Sequence, residues 1–524
     1  MKRNLLLITI LTAMLFIVAA CGSDSSSGNN DSDASGENSG GTLNIAIDGA
    51  PPSLDQPAVS ATATRDAARP IFESLVVTDS KFNPQPMLAE SIDTEDNKTY
   101  TFHLREGIKF HNGEEMTAED VVASMERWME KSSVTGNIFE DATWTAEDDY
   151  TVVLELEEAS ALVLDTIASS KQAAGIMPKE IVESAPAEGV QEYIGTGPFK
   201  FAEWRQDQYI RYEKFEDYQP VSGEPDGLAG KKEALVDEIY LHIVTDPTTR
   251  LTGLQTGEYD IVHGLPYDMY NDFKEDPNIE TIMAKEGNQV LIMNNVEGLS
   301  SDIKMRQAIN VGLNHEDILM AAFPNEDLFT IDSSYMDREI ETWASDAGSE
   351  YYNQNDPEKA KEMLDEMGYA GEEFTILTTR DYIEFYNAGI AIQEQLKQMG
   401  INAQLEVYDW PTMVDKIENN QDEWDAVVNS FSVVSTPPQL LALSDSYAGG
   451  VNDDKVGEMM KQIEVAPTTE EAKAIWDELQ LYAWEELLPV IQNGVYHYLY
   501  GYGTNVEGLT TTSGPVYWNV SVTE

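Results

Sequence analysis

One cysteine, Cys21, is the feature that most constrains this chain of 524 residues. With no second thiol there is no disulfide framework, so stability must come from buried apolar cores. Its place is as informative as its number. Lys2 and Arg3 give a positive start, residues 5–20 are apolar or small apart from two threonines, and the run stops at Val18-Ala19-Ala20-Cys21. A charged start, a short apolar stretch and small residues before a cut site are the marks of a secretory signal over residues 1–20. The alternative is an uncleaved anchor, for which roughly 17 apolar residues is the lower limit. Either reading puts the rest of the chain outside the cytoplasm.

The Val-Ala-Ala-Cys ending resembles the lipobox of bacterial lipoproteins, which implies acylation of Cys21 and attachment to the membrane through lipid. Residues 22–41 are almost entirely Ser, Gly, Asn and Asp, with Ala34 their single apolar side chain. Such a segment cannot bury enough surface to offset its ordering entropy. A lipidated cysteine and disordered tether are therefore expected over 21–41, with a reach of about 25 Å for a flexible Gly/Ser-type chain.

The remaining length exceeds what one compact core supports, so two or more domains are expected. Thirty-two Lys plus Arg against 94 Asp plus Glu leave a formal charge of −62. That field excludes nucleic acid and anionic lipid as docking partners. The acids are scattered (Glu114-Glu115, Glu372-Glu373, Asp453-Asp454), which reads as a solvated surface suited to a salty or alkaline exterior rather than as a patch for a cation.

Alternation at residues 42–47, 100–104, 151–156 and 209–212 predicts strands. Helical spacing predicts helices over 65–77, 304–312, 356–367, 383–399, 412–419 and 469–486. Another opens at Thr117, where a hydroxyl cap and acids in the first turn precede the stripe Val121, Met125 and Trp128. Short strands mixed with medium helices give an α/β class. There is neither an internal repeat nor a second membrane segment.

Several runs then converge on one family. They are Met87-Leu88-Ala89-Glu90-Ser91, Lys98-Thr99-Tyr100-Thr101-Phe102-His103-Leu104-Arg105, Gly107-Ile108-Lys109-Phe110-His111-Asn112-Gly113 and Thr117-Ala118-Glu119-Asp120-Val121. Gly195-Thr196-Gly197-Pro198-Phe199-Lys200-Phe201 and Met305-Arg306-Gln307-Ala308-Ile309-Asn310 follow in order. Together they resemble the family 5 extracellular solute-binding proteins, the peptide, oligopeptide and nickel receptors of ABC importers. Ile92-Asp93 departs from the family's usual Trp-Glu, and Asp96-Asn97 lacks its glycine. The resemblance implies a two-lobe periplasmic-binding-protein fold, with the ligand enclosed between the lobes. Lobe I would comprise 42–290 plus 490–524, with an extra subdomain at about 82–190, and lobe II 291–489. The crossings are expected near 286–293 and 488–493.

No catalytic constellation accompanies these motifs. Six histidines are scattered without His-Glu-x-x-His spacing, and there is no Gly-x-Ser-x-Gly elbow and no P-loop. The reading is a non-enzyme with no metal and no cofactor, a secreted surface hydrolase being the alternative of another class.

The ligand expected is a peptide-like or other small-molecule solute, delivered by a monomeric receptor to an ABC permease. An oligosaccharide or a metal chelate is the alternative within the same fold. A buried carboxylate wants a bidentate arginine, and Arg380 falls where dipeptide-type members of the family carry one. Those members place an aspartate for the ligand's amine four residues before a proline; here Val433 occupies that place and Thr436 replaces the next acid. A valine cannot hold an ammonium, so a blocked or modified peptide, an opine-like conjugate or a sugar stacked on aromatics enters consideration. Tyr382, Tyr386, Tyr408, Trp410 and Phe431 are candidate platforms, with Ser432 beside the last. Thr62 and Thr64, at a helix start, are candidate anion contacts.

Overall fold

A computed structural model describes residues 40–523 apart from 445, 446, 448 and 452. Cys21, the leader and residues 21–39 of the tether lie outside the described residues. One large sheet organises the molecule. Its strands run in the order Asn402–Tyr408, Glu373–Thr379, Ala426–Ser432, Ile279–Met293, Val490–Gly503, Ile261–His263, Thr42–Ile47, Glu238–Ile243, Tyr209–Lys214 and Phe199–Arg205. The short Phe329–Thr330 adds to Val490–Gly503.

Thr42–Ile47 shows how sequence becomes position here. It lies parallel to both Glu238–Ile243 and Ile261–His263, and a parallel strand is buried on both faces. Leu43, Ile45 and Ile47 enter one core while Ala46 enters another. The strand's C-terminal end, at Asp48, opens onto a large cavity.

Two strands do most to shape the molecule. Ile279–Met293 and Val490–Gly503, 15 and 14 residues long, pair antiparallel along nearly their whole length. At about 3.3 Å per residue each spans roughly 50 Å. Their outer ends differ in company. Residues 287–293 pair with Ala426–Ser432, whereas residues 500–502 pair with Ile261–His263. The ribbon therefore carries the sheet from one half of the molecule to the other. Its register shifts between Lys285 and Gly287, and again between Gln289 and Val290; bulges of this kind bend and twist a strand.

A separate four-stranded sheet, Ala89–Asp93, Thr99–Leu104, Thr151–Glu155 and Thr143–Asp148, has its own core. The helix Ala118–Lys131 lays Val121, Met125 and Trp128 onto Phe102, Val152 and Leu154. The Asp120 carboxylate caps this helix by accepting the Thr117 N–H at 2.8 Å. Arg127, on the same helix, makes a bidentate pair with Asp55 at 2.9 and 2.5 Å, and so ties the helix to the segment ahead of Thr62–Ala68.

Most helices lie where the apolar spacing puts them: Ile303–Gly312, Pro357–Met367, Ile383–Gln398, Trp410–Asn419 and Thr469–Tyr482. The helix predicted over 65–77 does not form at that length. Thr62–Ala68 ends before Pro70, and Val76–Thr78 is a strand. Proline lacks a donor of its own, so the hydrogen-bond ladder is broken at Pro70. Arg69 keeps helical backbone and returns its N–H to the Arg65 carbonyl, while its guanidinium donates to the carbonyls of Thr512, Ser513 and Pro515. The C-terminal Val516, Tyr517, Trp518 and Val520 are thereby held in the same core as Leu43 and Ile45. Lys232, under Trp518, pairs with Glu73 at 2.9 Å, and both are buried.

Candidate functional site

Where the long ribbon passes between the two halves, a cavity of about 1420 Å³ opens. Pockets for drug-sized ligands typically occupy about 300–1,000 Å³, so this space suits a solute of greater length. One wall comes from the end of Thr42–Ile47, the start of Thr62–Ala68 and the loop after Ile261–His263. The facing wall comes from residues 380–385, Asn387, Trp410, and residues 429–432 and 434 at the end of Ala426–Ser432. The floor is the ribbon itself, which contributes Glu286, Tyr496, Tyr498 and Tyr500.

Arg380, Tyr382, Trp410, Phe431, Ser432 and Thr62 all lie on the cavity wall. The Arg380 guanidinium sits 4.4 Å from the centre of the Tyr386 ring and donates to its hydroxyl at 2.7 Å. Tyr386 thus supports Arg380 from behind and is not itself on the wall. Tyr382 and Trp410 meet edge to face at 5.1 Å. The Asp381 carboxylate fixes this pair by accepting the Trp410 N–H at 2.7 Å. Phe431 is braced by Tyr447 at 5.2 Å.

Thr64 and Val433 are placed elsewhere. The Thr64 hydroxyl donates to the Ser53 carbonyl at 2.7 Å in a fully buried position, so it serves the loop ahead of its helix. Val433 packs against the core and gives its N–H to the Glu286 carbonyl at 3.3 Å. The residue on the wall is its neighbour Val434. A valine therefore faces the cavity at this turn, one position further along. Tyr408 also lies off the wall, its hydroxyl donating to Glu406 at 2.7 Å.

The charges on the walls are arranged unevenly. Asp66 is held by Arg65 at 2.7 Å, and Asp48 accepts the Tyr498 hydroxyl. Arg250 spends its guanidinium on the carbonyls of Val244, Thr245 and Gly264. Glu286 and Glu384 have neither an ion pair nor a hydrogen bond from another side chain among the described residues. Burial pushes the Glu286 carboxyl up to about 7; Arg65 opposes the rise, while Asp66 and Asp48 add to it. Burial raises Glu384 as well. Among the described residues no group of three or more His, Cys, Asp or Glu is placed to hold a metal ion. Within the cavity, His263 bonds the Tyr517 hydroxyl at 2.7 Å.

Sequence reasoning did not single out Glu286, Glu384 or the floor tyrosines. They come from segments far apart in the chain, and in a sequence with 94 acids no single glutamate stands out.

Residues 83–452 match the family described as bacterial extracellular solute-binding proteins, family 5 Middle. A probable peptide ABC transporter periplasmic-binding protein, y4tO of Sinorhizobium fredii, is 30% identical over 492 residues, covering 89% of this chain and 91% of that protein. The solved structure of AgaA from A. tumefaciens R10 in complex with agropinic acid superposes with a TM-score of 0.75 at 26% identity, covering 92% and 99% of the two chains. The oligopeptide-binding protein AppA of Bacillus subtilis, solved with a nonapeptide, gives a TM-score of 0.75 at 22% identity over 93% and 99%. The fold is the two-lobe fold of periplasmic binding proteins.

Proposed function

This chain belongs to the family 5 bacterial extracellular solute-binding proteins, and from that premise we propose how its cleft recognises a solute. The protein is the substrate-binding component of an ABC importer; it works outside the cytoplasm with a membrane permease and is a receptor, not an enzyme. Its solute is peptide-like. The observation that carries this is the cavity of about 1420 Å³, with a guanidinium on one wall and aromatic faces around it. Arg380 receives the solute's carboxylate as a two-pronged hydrogen bond, a geometry that guanidinium supplies and ammonium does not. Tyr382, Trp410 and Phe431 cover the body of the solute, and Ser432 and Thr62 offer hydroxyls.

Lobe I comprises 42–290 and 490–524, with its extra subdomain at about 82–190, and lobe II comprises 291–489. Closure about the ribbon follows from tighter binding in the closed form. The permease then reads that form. Cys21 carries the lipid, and residues 22–41 tether a monomeric receptor to the membrane surface. A conjugate of the opine kind is the second reading. It is favoured by the valine on the wall at 434 and by the likeness to AgaA, which was solved with agropinic acid.

Native mass spectrometry of the full chain, extracted gently in mild detergent, tests the ligand class. A peptide or peptide-like compound released on denaturation is the expected result. Release of a free sugar or a metal chelate instead would overturn the reading.

A further inference from the structure

The ribbon joins the two lobes, but they also touch at a second place, through the tip of the extra subdomain. The Asn137 side chain donates to the Glu464 carboxylate at 2.8 Å. The Asn97 side chain donates to the Pro467 carbonyl at 2.9 Å, and the Ala161 N–H to the Ala466 carbonyl at 3.0 Å. Leu162 is fully buried, yet it belongs to the core that holds Met459 and Ile463 of lobe II rather than to that of its own sheet. Ile138 packs against both cores. The turn Ser133–Phe139 also packs on Pro437–Gln439, and Gln439 lines the cavity, so the contact stands at the cavity's edge.

The tip presents these groups from a rigid frame. The Ser160 N–H donates to the Asn97 carbonyl at 2.8 Å, and the Tyr100 hydroxyl to the Ser160 carbonyl at 2.9 Å, so the two segments are tied together from inside. Asn97 has left-handed backbone, with φ at 52°. Glycine takes that conformation without strain, and asparagine is among the few residues with a side chain that tolerate it. The turn Asp96-Asn97, which has no glycine, therefore keeps a glycine's geometry and adds a side chain that reaches lobe II. Gly136 does the reverse beside Asn137. Its φ is 56°, and a Cβ there would lie 3.0 Å from Glu464 Oε1, so the missing side chain lets the tip approach the carboxylate. All these contacts run between the lobes and must break for the lobes to part, which would also bare Leu162 to water.

We propose that the tip of the extra subdomain is a clasp: Asn97 and Asn137 fasten it to lobe II even without a solute, so that the closed form is held by the clasp as well as by the ribbon. Asn97, Asn137 and Leu162 are not on the cavity wall. They act on affinity through the closed population alone, since a solute's apparent affinity scales with the fraction of protein already in the form it binds. This rests on the lobe closure proposed above and adds to it a setting that the solute does not control.

The test needs no solute. Spin labels on cysteines introduced at Glu95 and Glu470, both exposed and on opposite sides of the clasp, report its state in the full-length protein stripped of bound solute. A short-distance population is expected with the clasp residues intact. With Asn97→Gly and Asn137→Ala together, the ratio of short to long distances should fall about tenfold, as the loss of two side-chain hydrogen bonds of ordinary net strength implies. Asn97→Gly alone leaves the left-handed backbone unstrained and should lower the ratio about threefold, so the outcome does not depend on how Asn137→Ala folds; thermal melting checks both. Long distances alone in the protein with the clasp residues intact, or an unchanged ratio in the folded double variant, overturn the clasp and leave solute-driven closure standing. Failure of closure itself reads differently: added solute would move no distance across the cleft, while the clasp ratio would still respond to Asn97→Gly.

Discussion

Replacing Gly287 by alanine is expected to destabilise the protein by about 3 kcal/mol or more, at the upper end of what overpacking costs. A Cβ on Gly287 would lie 2.0 Å from the Phe431 carbonyl oxygen and 2.8 Å from its carbonyl carbon. Both are backbone atoms, so no side-chain rotation relieves the contact. Ala426–Ser432 would have to part from Ile279–Met293 at the first paired residue of the ladder, beside Glu286 and beneath Phe431. Val290, Ile292 and Val427 are buried just beyond. Gly457 is the matched control: it lies in the helix Asp454–Glu464 with open space around its Cβ direction. Gly457→Ala should stabilise by roughly 0.5–1 kcal/mol, as alanine does for glycine in a helix interior. Denaturant unfolding measures both, and a Gly287→Ala protein within 1 kcal/mol of wild type would contradict this picture of the crossing.

Arg380→Ala is expected to weaken solute binding about 100-fold, within the 2–5 kcal/mol typical of losing one partner from a buried, hydrogen-bonded charge pair. Arg380 is exposed and its side chain rests on Tyr386, so folding stability should change by no more than about 0.5 kcal/mol. Arg380→Lys should recover little, because an ammonium is a point charge and cannot grip a carboxylate with two parallel bonds. Calorimetric titration with the co-purified solute separates the three proteins. Affinities within threefold of one another would remove Arg380 from the recognition scheme.

Much of the architecture is legible because local chemistry and tertiary position agree. Thr42–Ile47 alternates and is a strand; Val121, Met125 and Trp128 share one helix face and are buried together. The failure at 65–77 is local too, since the apolar spacing ran on past Pro70 while the backbone could not. The cleft divides differently. Arg380 could be named because the family resemblance implies an arginine at that place, and Tyr382 and Trp410 as candidate aromatic platforms; all three line the cavity beside helix starts. Val433 and Val434 differ by one residue, yet only Val434, itself buried in the core, also borders the cavity, while Val433 is half-buried beside it. Spacing along the chain cannot fix such a placement. Glu286 and Glu384 become distinctive only through what fails to surround them, which depends on segments hundreds of residues apart.

A solute is expected to close two lobes about the paired strands Ile279–Met293 and Val490–Gly503. Glu216 and Gln398 are both exposed, fall one in each of the proposed lobes, and suit cysteine substitution and spin labelling. The distance distribution between the two labels should shorten when the co-purified solute is added back to stripped protein, and should stay open in Arg380→Ala at the same solute concentration. A solute that binds at unit stoichiometry and leaves that distribution unchanged would contradict closure as the signal to the permease.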